Sequence, residues 1–236
     1  MDYGKIERHT FKTYLIFSGF ALFFLLASFA FVYSSNYRIS QIIYNEDLGL
    51  DFSSINKLKG TSIWLANDRY NDEFYTDNPT VEIVSLIREV PLSDTIFIEV
   101  KLSEQLAYVN DARQTPPKSF VLYKNLYQKP SASNEGLLKV SITNGPVVEG
   151  FFEELATFVL TLKKYSINMS NLLLTHNGEE VVVNHFDTTI YLGEPKDLSR
   201  KATLVGYYVS EDSCNGEIYL VYTEDGKDLR GYKKCN

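Results

Sequence analysis

Residues 14–33 read YLIFSGFALFFLLASFAFVY, and no charged residue occurs between Thr13 and Tyr37. A helix of this length spans about 30 Å, the hydrocarbon thickness of a bilayer. Tyrosines stand at both ends of the run, where aromatic rings favour the headgroup region. The sequence therefore predicts a transmembrane helix over residues 14–34. The alternative is a signal peptide cleaved near residues 27–30, but that site would cut into an apolar run longer than the ~7–15 residues of a signal peptide.

Positive charges flank this run unequally. Lys5, Arg8 and Lys12 precede it, whereas only Arg38 follows it closely. Basic flanks stay on the cytoplasmic side of a membrane. We therefore expect a cytoplasmic tail over residues 1–13 and a C-terminal ectodomain outside the cell membrane.

The ectodomain is predicted to be acidic. Three of the chain's 23 Lys and Arg residues and two of its 30 Asp and Glu residues precede the span, which leaves a net charge of −8 beyond it. This charge argues against nucleic acid and anionic lipid as ligands. It is typical of an ordinary solvated surface.

The first part of the ectodomain, residues 37–109, has the pattern of a small β-α-α-β-β domain. Its last strand alternates apolar and polar residues from Ile96 to Leu102, and the turn before it contains Pro91. The last two strands are therefore expected to form a hairpin. The predicted strands cover residues 39–44, 81–90 and 96–102, and the predicted helices cover residues 53–58 and 68–75, with Ser53 and Asp68 as N-caps.

The second part, residues 110–236, is predicted to be a mixed α/β-sheet domain. A helix over residues 148–165 has one apolar stripe, and a second helix is expected over residues 197–207. Asn177-Gly178 indicates one hairpin, and Asp225-Gly226 indicates a hairpin that ends the domain. The fold class is therefore α+β. The remaining predicted strands cover residues 120–123, 137–142, 172–174, 181–183, 188–192, 217–222 and 227–233.

Several short motifs resemble the FtsQ/DivIB family of bacterial cell-division proteins. That family has NP-x-V/I, a strand, P-x-TL-x-I-x-V-x-E and a following Ala, and later an I-x-LG strand followed by a helix. The matching segments are Asn78-Pro79-Thr80-Val81, Val90-Pro91-Leu92-Ser93-Asp94-Thr95-Ile96-Phe97-Ile98-Glu99-Val100, Glu104, Ala107-Tyr108, Ile190-Tyr191-Leu192-Gly193 and, in the helix, Lys201, Leu204 and Val205.

Two motifs depart from the family pattern. The Gly-Asn turn after the first strand is Asn45-Glu46-Asp47 here, and the late I-D-L-R strand is Ile218-Tyr219-Leu220-Val221. The functions that the family assigns to the missing charged residues therefore do not carry over to this chain, whereas the strand itself is still predicted.

The resemblance implies a POTRA domain over residues 37–109, a β domain over residues 110–236, and a scaffold without catalysis or cofactor. Family members sit at the division septum and bind two other single-span proteins, the FtsL and FtsB/DivIC types. That complex helps to recruit and regulate the septal peptidoglycan synthase. The expected partners of this chain are thus membrane proteins, and nucleic acid is not among them.

The terminal hairpin is the predicted partner-binding surface. The family uses its C-terminal strands for binding, and a sheet that ends in a hairpin offers an edge for strand addition. Tyr219, Tyr222 and Tyr232 are candidate anchors because Tyr is enriched in binding hot spots, and Arg230 lies among them. The alternative is that these tyrosines only cover the sheet.

Cys214 and Cys235, the chain's two cysteines, are predicted to form a disulfide across this hairpin. A four-residue loop over residues 223–226 would pair Tyr222 with Lys227 and would place the two cysteines opposite each other, within bridging distance. A two-residue turn would leave them only near neighbours. The alternative is two free thiols.

An enzyme is the less favoured class. Sortases share the single span, and Cys214, His185 or His176, and Arg230 supply their residue types. The acidic residues directly before Cys214 disfavour a thiolate, however. His176 and His185 lack ligand partners at short spacing and are expected at the surface. A membrane-anchored wall-binding or adhesion module, with Trp64 and the many tyrosines forming an aromatic surface, stays open.

Overall fold

The computed structural model divides the chain into two compact units, Met1–Leu102 and Ser103–Asn236. The sequence predicted a boundary between residues 109 and 110, which lies inside a strand of the second unit, Gln105–Asp111. Periodicity reveals a strand but not the sheet that it joins, which explains the difference. The structure describes residues 3–34, 37–44, 49–63, 69–87, 93–133, 135–210, 215–224 and 226–235.

Helix α1 (Tyr3–Val32) opens the first unit. Its segment Thr13–Val32 is 20 residues long, is apolar enough to cross a membrane, and is not buried against the rest of the protein. The predicted apolar span is thus helical up to Val32. The helix begins at Tyr3, before residue 14, so it also includes the basic residues of the predicted tail.

The rest of the first unit has the predicted order β-α-α-β-β. The elements are β1 (Gln41–Tyr44), α2 (Ser53–Asn56), α3 (Arg69–Asp77), β2 (Val81–Ile87) and β3 (Thr95–Leu102). Strand β3 lies in the middle of the sheet, parallel to β1 and antiparallel to β2. The predicted hairpin is therefore confirmed, and the sheet is mixed. Its core contains Ile39, Phe52, Ile55, Phe74, Ile96 and Ile98.

Asn78, in the Asn-Pro motif, is a buried polar residue with a structural role. Its side-chain oxygen accepts from the Asp51 amide at 2.7 Å, and its amide nitrogen donates to the Asp51 carbonyl at 2.7 Å and to the Phe74 carbonyl at 3.1 Å. The side chain thereby joins the end of α3 to the segment before α2. An Asn satisfies both backbone groups of Asp51 because it carries a donor and an acceptor.

Helix α2 differs from its prediction. It has a single turn, and Phe52 rather than Ser53 occupies the N-cap position. The Asp51 carboxylate accepts from the Ser53 amide at 2.8 Å, so the capping oxygen comes from an earlier residue. The N-cap prediction at Ser53 is therefore wrong, and the one at Asp68 lies outside the described residues.

Over its described residues, the second unit consists of a nine-stranded mixed sheet, two α-helices and a short 3-10 helix, Met169–Asn171. The sheet order is β12-β11-β10-β9-β8-β7-β4-β5-β6. The pairs β4/β7, β7/β8 and β10/β11 are parallel, and the others are antiparallel. The elements are β4 (Gln105–Asp111), β5 (Lys118–Tyr123), β6 (Gln128–Pro130), β7 (Leu138–Ile142), α4 (Phe151–Lys163), β8 (Leu172–His176), β9 (Val181–His185), β10 (Thr188–Gly193), α5 (Leu198–Ser210), β11 (Gly216–Tyr222) and β12 (Leu229–Cys235).

Helices α4 and α5 pack on one face of this sheet, which we call the helix face. The predicted stripe of α4 is confirmed, because Phe151, Leu155, Phe158 and Leu162 are all buried in the core. Residues of opposite parity on the strands point to the other face, which we call the outer face. The predicted hairpins β8–β9 and β11–β12 are also present.

Candidate functional site

Strands β11 and β12 form the predicted terminal hairpin, but in a different register. Tyr222 pairs with Leu229, not with Lys227. The Thr223 amide donates to the Asp228 carbonyl at 2.8 Å, and the Asp228 amide donates to the Thr223 hydroxyl at 3.1 Å. This pair closes the ladder, so the loop covers residues 224–227, and the register is the one expected from the alternative two-residue turn.

The new register changes the surroundings of the cysteines. Cys235 lies opposite Gly216, so the prediction that it directly faces Cys214 is wrong. Cys235 is disulfide-bonded. Cys214 lies outside the described residues, and the pairing of the two cysteines stays a prediction.

Three of the four predicted anchors share the outer face. Tyr219 lies opposite Tyr232, and Val221 lies opposite Arg230. Directly opposed residues of an antiparallel pair point to the same side. Ile218 and Leu220, the neighbours of Tyr219 on β11, are buried in the core, which assigns Tyr219, Arg230 and Tyr232 to the outer face. Tyr222 has the opposite parity and lies on the helix face.

Tyr219 belongs to an aromatic row that crosses three strands. Its ring stacks on Tyr191 of β10, with 4.6 Å between centroids and 5° between planes. The Lys234 ammonium lies 5.3 Å from its ring centroid. Its hydroxyl donates to the Glu217 carboxylate at 2.7 Å, and this hydrogen bond raises the pKa of Tyr219 to about 12. Tyr232 ends the row at the sheet edge and is 71% exposed.

Tyr222 ties the hairpin to helix α5. Its hydroxyl donates to the Asp197 carboxylate at 2.9 Å. Burial raises the pKa of Tyr222 above its ordinary value, and the hydrogen bond to Asp197 adds to the shift. The Arg200 guanidinium lies 5.9 Å from the Tyr222 ring centroid and donates to the Lys227 carbonyl of the loop. Residues at the beginning of α5 therefore position the hairpin loop, and Tyr222 connects the hairpin to them.

Strand β12 is held against α5 by a close approach at Gly231. A Cβ atom at this position would lie 2.6 Å from Cζ and 2.7 Å from Cε2 of Tyr208, a residue of α5. The Lys233 ammonium lies 5.3 Å from the same ring. A glycine is needed here because any side chain would collide with the Tyr208 ring. The other side of β12 has no neighbouring strand among the described residues.

A depression of about 620 Å³ lies at the loop end of the hairpin. Its lining combines apolar, aromatic and charged side chains of both strands. The lining residues are Val221, Tyr222, Thr223, Glu224, Asp228, Arg230 and Tyr232. Arg230 and Tyr232, on the outer face, therefore border one concave surface, whereas the side chain of Tyr222 is directed to the helix face.

The residues of the enzyme hypothesis are spread across the sheet. His185 and His176 lie on β9 and β8, three and four strands from β12. At about 4.8 Å a strand, roughly 14 and 19 Å separate them from the strand that carries Arg230. The third member, Cys214, lies outside the described residues.

His176 is buried, so its predicted surface position is wrong. Its side chain is 0% exposed and packs on Phe151, with 4.8 Å between ring centroids. The Gly178 amide donates to Nδ1 at 3.2 Å. Its parity on β8 is that of the buried residues Leu172 and Leu174, which explains the inward position. Across the described ranges, no three His, Cys, Asp or Glu side chains are grouped to hold a metal ion.

Sequence reasoning missed the residues that support the hairpin. Tyr191 was part of a recognised strand motif, but only the parallel pairing of β10 and β11 shows that it stacks on Tyr219. Asp197 and Tyr208 had no local signal, because their contacts with β11 and β12 depend on tertiary packing.

Comparison of the chain with protein-family models gives no match. A search among curated proteins gives no relative at a significant level.

Proposed function

We propose that this chain is a non-enzymatic scaffold of bacterial cell division, of the FtsQ/DivIB type. In this proposal α1 anchors the protein in the cell membrane, with the N-terminus in the cytoplasm and both folded units outside. The first unit is a POTRA-like domain, and the second is the partner-binding β domain. The terminal hairpin binds FtsL-type and FtsB/DivIC-type single-span proteins at the septum, and through them the protein regulates the septal peptidoglycan synthase.

The observation that carries the proposal is the order of parts along the chain. One helix apolar enough to span a membrane precedes a β-α-α-β-β unit with a mixed three-stranded sheet, and a larger mixed sheet follows. The Asn-Pro motif supports the same reading, because Asn78 has a defined structural task in the small unit. The structural role of Asn78 thus supports the proposal at one of the motifs that resemble the family.

The second support is the edge strand β12. An edge strand presents unpaired backbone groups that another chain can use to extend the sheet. Tyr232 and Arg230 on this strand are exposed, and Tyr and Arg are enriched at binding hot spots.

Co-purification from cells tests the proposal. Truncation after Ser213 removes β11 and β12 and is expected to abolish capture of the FtsL-type and DivIC-type partners. The control truncation removes only residues 1–4, which keeps the basic residues Lys5, Arg8 and Lys12, the apolar span and everything after it. Capture of the partners by residues 1–102 alone would contradict the assignment to the hairpin. A fluorescent fusion is expected at the septum, and depletion is expected to give filamentous cells.

One observation favours a second function, a wall-binding or adhesion module. The row Tyr191–Tyr219–Tyr232 lies on the outer face, which the two helices do not cover. Tyr232, 71% exposed at the end of this row, offers an aromatic ring to a ligand. Sedimentation of the ectodomain with purified cell walls, compared with the Tyr232→Ala variant, distinguishes this function from the scaffold. Trp64, the other aromatic residue of this hypothesis, lies outside the described residues.

A further inference from the structure

The charge of β12 differs from that of the chain around it. The strand reads LRGYKKC and contains Arg230, Lys233 and Lys234 but no acidic residue. The whole chain carries a net charge of −7. A basic edge on an acidic protein is a selective feature, because charges at an interface favour partners of opposite sign and disfavour those of like sign.

The hairpin register shows which backbone groups of β12 face outward. The Thr223 amide bonds the Asp228 carbonyl, so this pair is of the hydrogen-bonded type. Hydrogen-bonded and non-hydrogen-bonded pairs alternate along an antiparallel ladder. Arg230, Tyr232 and Lys234 therefore direct their backbone groups to β11. The backbone groups of Leu229, Gly231 and Lys233 point to the open edge.

A strand added to this edge would meet β12 in a defined way. It would form hydrogen bonds with Leu229, Gly231 and Lys233. Arg230, Tyr232 and Lys234 would then lie at non-hydrogen-bonded sites, where opposed Cα atoms are about 4.5 Å apart and side chains touch most closely. All three of these side chains lie on the outer face, so the facing residues of the partner lie there too.

We infer that the partner segment is an acidic β-strand with the pattern acid-x-aromatic-x-acid. The two acidic residues face Arg230 and Lys234, and the aromatic residue covers Tyr232 and extends the row Tyr191–Tyr219–Tyr232 by one ring. The pattern reads the same in both chain directions, and the close pairing at Arg230, Tyr232 and Lys234 is that of an antiparallel strand. This inference rests on the proposed function, since it specifies the partner of the same edge.

The acidic residues near Arg230 and Lys234 leave both side chains able to contact a partner strand. Glu224 and Asp228 line the depression beside Arg230, yet Arg230 forms no salt bridge within the described part of the chain. Glu217 lies opposite Lys234, but its carboxylate accepts from Tyr219, and the Lys234 ammonium lies over the Tyr219 ring. Both cations are exposed and can reach across the edge.

Fluorescence anisotropy with labelled peptides and the full chain in detergent micelles tests the inference. The acidic peptide is Thr-Glu-Val-Tyr-Val-Glu-Thr, and the basic peptide has Lys at both Glu positions. A third peptide, Thr-Glu-Glu-Tyr-Val-Val-Thr, keeps the composition of the acidic one but loses the spacing. We expect the acidic peptide to bind about 10-fold more tightly than either of the others, and the preference to weaken as salt is added.

Charge reversal provides the matched control. The double variant Arg230→Glu/Lys234→Glu is expected to prefer the basic peptide. Lys59→Glu/Lys139→Glu changes the net charge equally at exposed positions off β12 and is expected to keep the wild-type preference. Equal binding of the acidic and basic peptides, or binding of neither up to about 1 mM, would overturn the inference.

The outcome is separable from that of the proposed function. If deletion of β12 abolishes partner capture but the acidic peptide has no advantage, the inference fails and the scaffold stands. If partners are captured without β12, the proposed function fails whatever the peptides do.

Discussion

Replacement of Gly231 by Ala tests how α5 positions the edge strand. Gly231 has an ordinary backbone conformation, because it is not among the residues with positive φ. At such a position Gly→Ala stabilises a protein by about 0.4–1 kcal/mol, since the unfolded chain loses freedom. Backbone considerations alone therefore predict a more stable protein.

The structure predicts the opposite sign. The new Cβ would lie 2.6 Å from Cζ of Tyr208, a side chain that is only 8% exposed. The Tyr208 ring cannot move aside without disturbing the core of α5. Overpacking of this kind costs about 1–3 kcal/mol. We expect a net loss of about 1–2 kcal/mol in the free energy of unfolding of the second unit.

Urea unfolding of the full chain in detergent, followed by circular dichroism, measures the change. Hydrogen exchange is expected to be faster in β12 and unchanged in β4 and β5. In a Tyr208→Leu background the collision is removed, and Gly231→Ala should become neutral or stabilising. A stabilising effect of Gly231→Ala in the wild-type background would refute the packing argument.

Three further predictions concern charge and covalent structure. Glu217→Gln should lower the pKa of Tyr219 from about 12 toward its ordinary value, as followed by NMR of the ring carbon. Because the pKa of Tyr219 is raised in the folded state, its contribution to stability is present below about pH 10 and is lost as the pH rises toward 12. If Glu217→Gln leaves this pKa unchanged, the hydrogen bond is not its cause. Arg113→Ala should destabilise the second unit by about 2 kcal/mol, because it leaves the buried Asp111 carboxylate without its partner at 2.7 Å, whereas the exposed Lys139→Ala should be neutral in the same urea titration. The salt bridge to Arg113 holds the pKa of Asp111 below its ordinary value, so its stabilisation is present above about pH 4 and is lost as the pH falls through the folded-state pKa. For the predicted bridge between Cys214 and Cys235, alkylation followed by mass measurement should add no alkyl group without reductant and two with it, and two in the unreduced protein would end that prediction.

Features set by local patterns could be predicted from the sequence. The apolar helix, the β-α-α-β-β order and the stripe of α4 each depend on residues close together in the chain, where periodicity is informative. The terminal hairpin was also predictable, because the Asp225-Gly226 turn signal lies between two predicted strands. Its register was not, because the pattern allowed both a four-residue loop over residues 223–226 and a two-residue turn, and the structure has the register of the latter.

Features that depend on distant segments could not be predicted. The parallel pairs of the large sheet join strands separated by helices or other strands, and no periodicity encodes the choice of neighbour. The candidate anchors lie on two different faces of the sheet, and this could be seen only from the strand order and register. Tyr219 and Tyr232 then belong to an outer row, whereas Tyr222 bonds Asp197 beneath the hairpin.

The strand order of the large sheet also sets a sequence of events during synthesis. From β8 to β12 each strand lies beside the one that precedes it in the chain. A polypeptide made from its N-terminus can therefore add these strands one at a time, and domains form in step with their emergence. The edge at β12 is the last to be completed, and until then a different strand forms the boundary of the sheet. A partner that recognises β12 would thus bind only copies in which this sheet is complete.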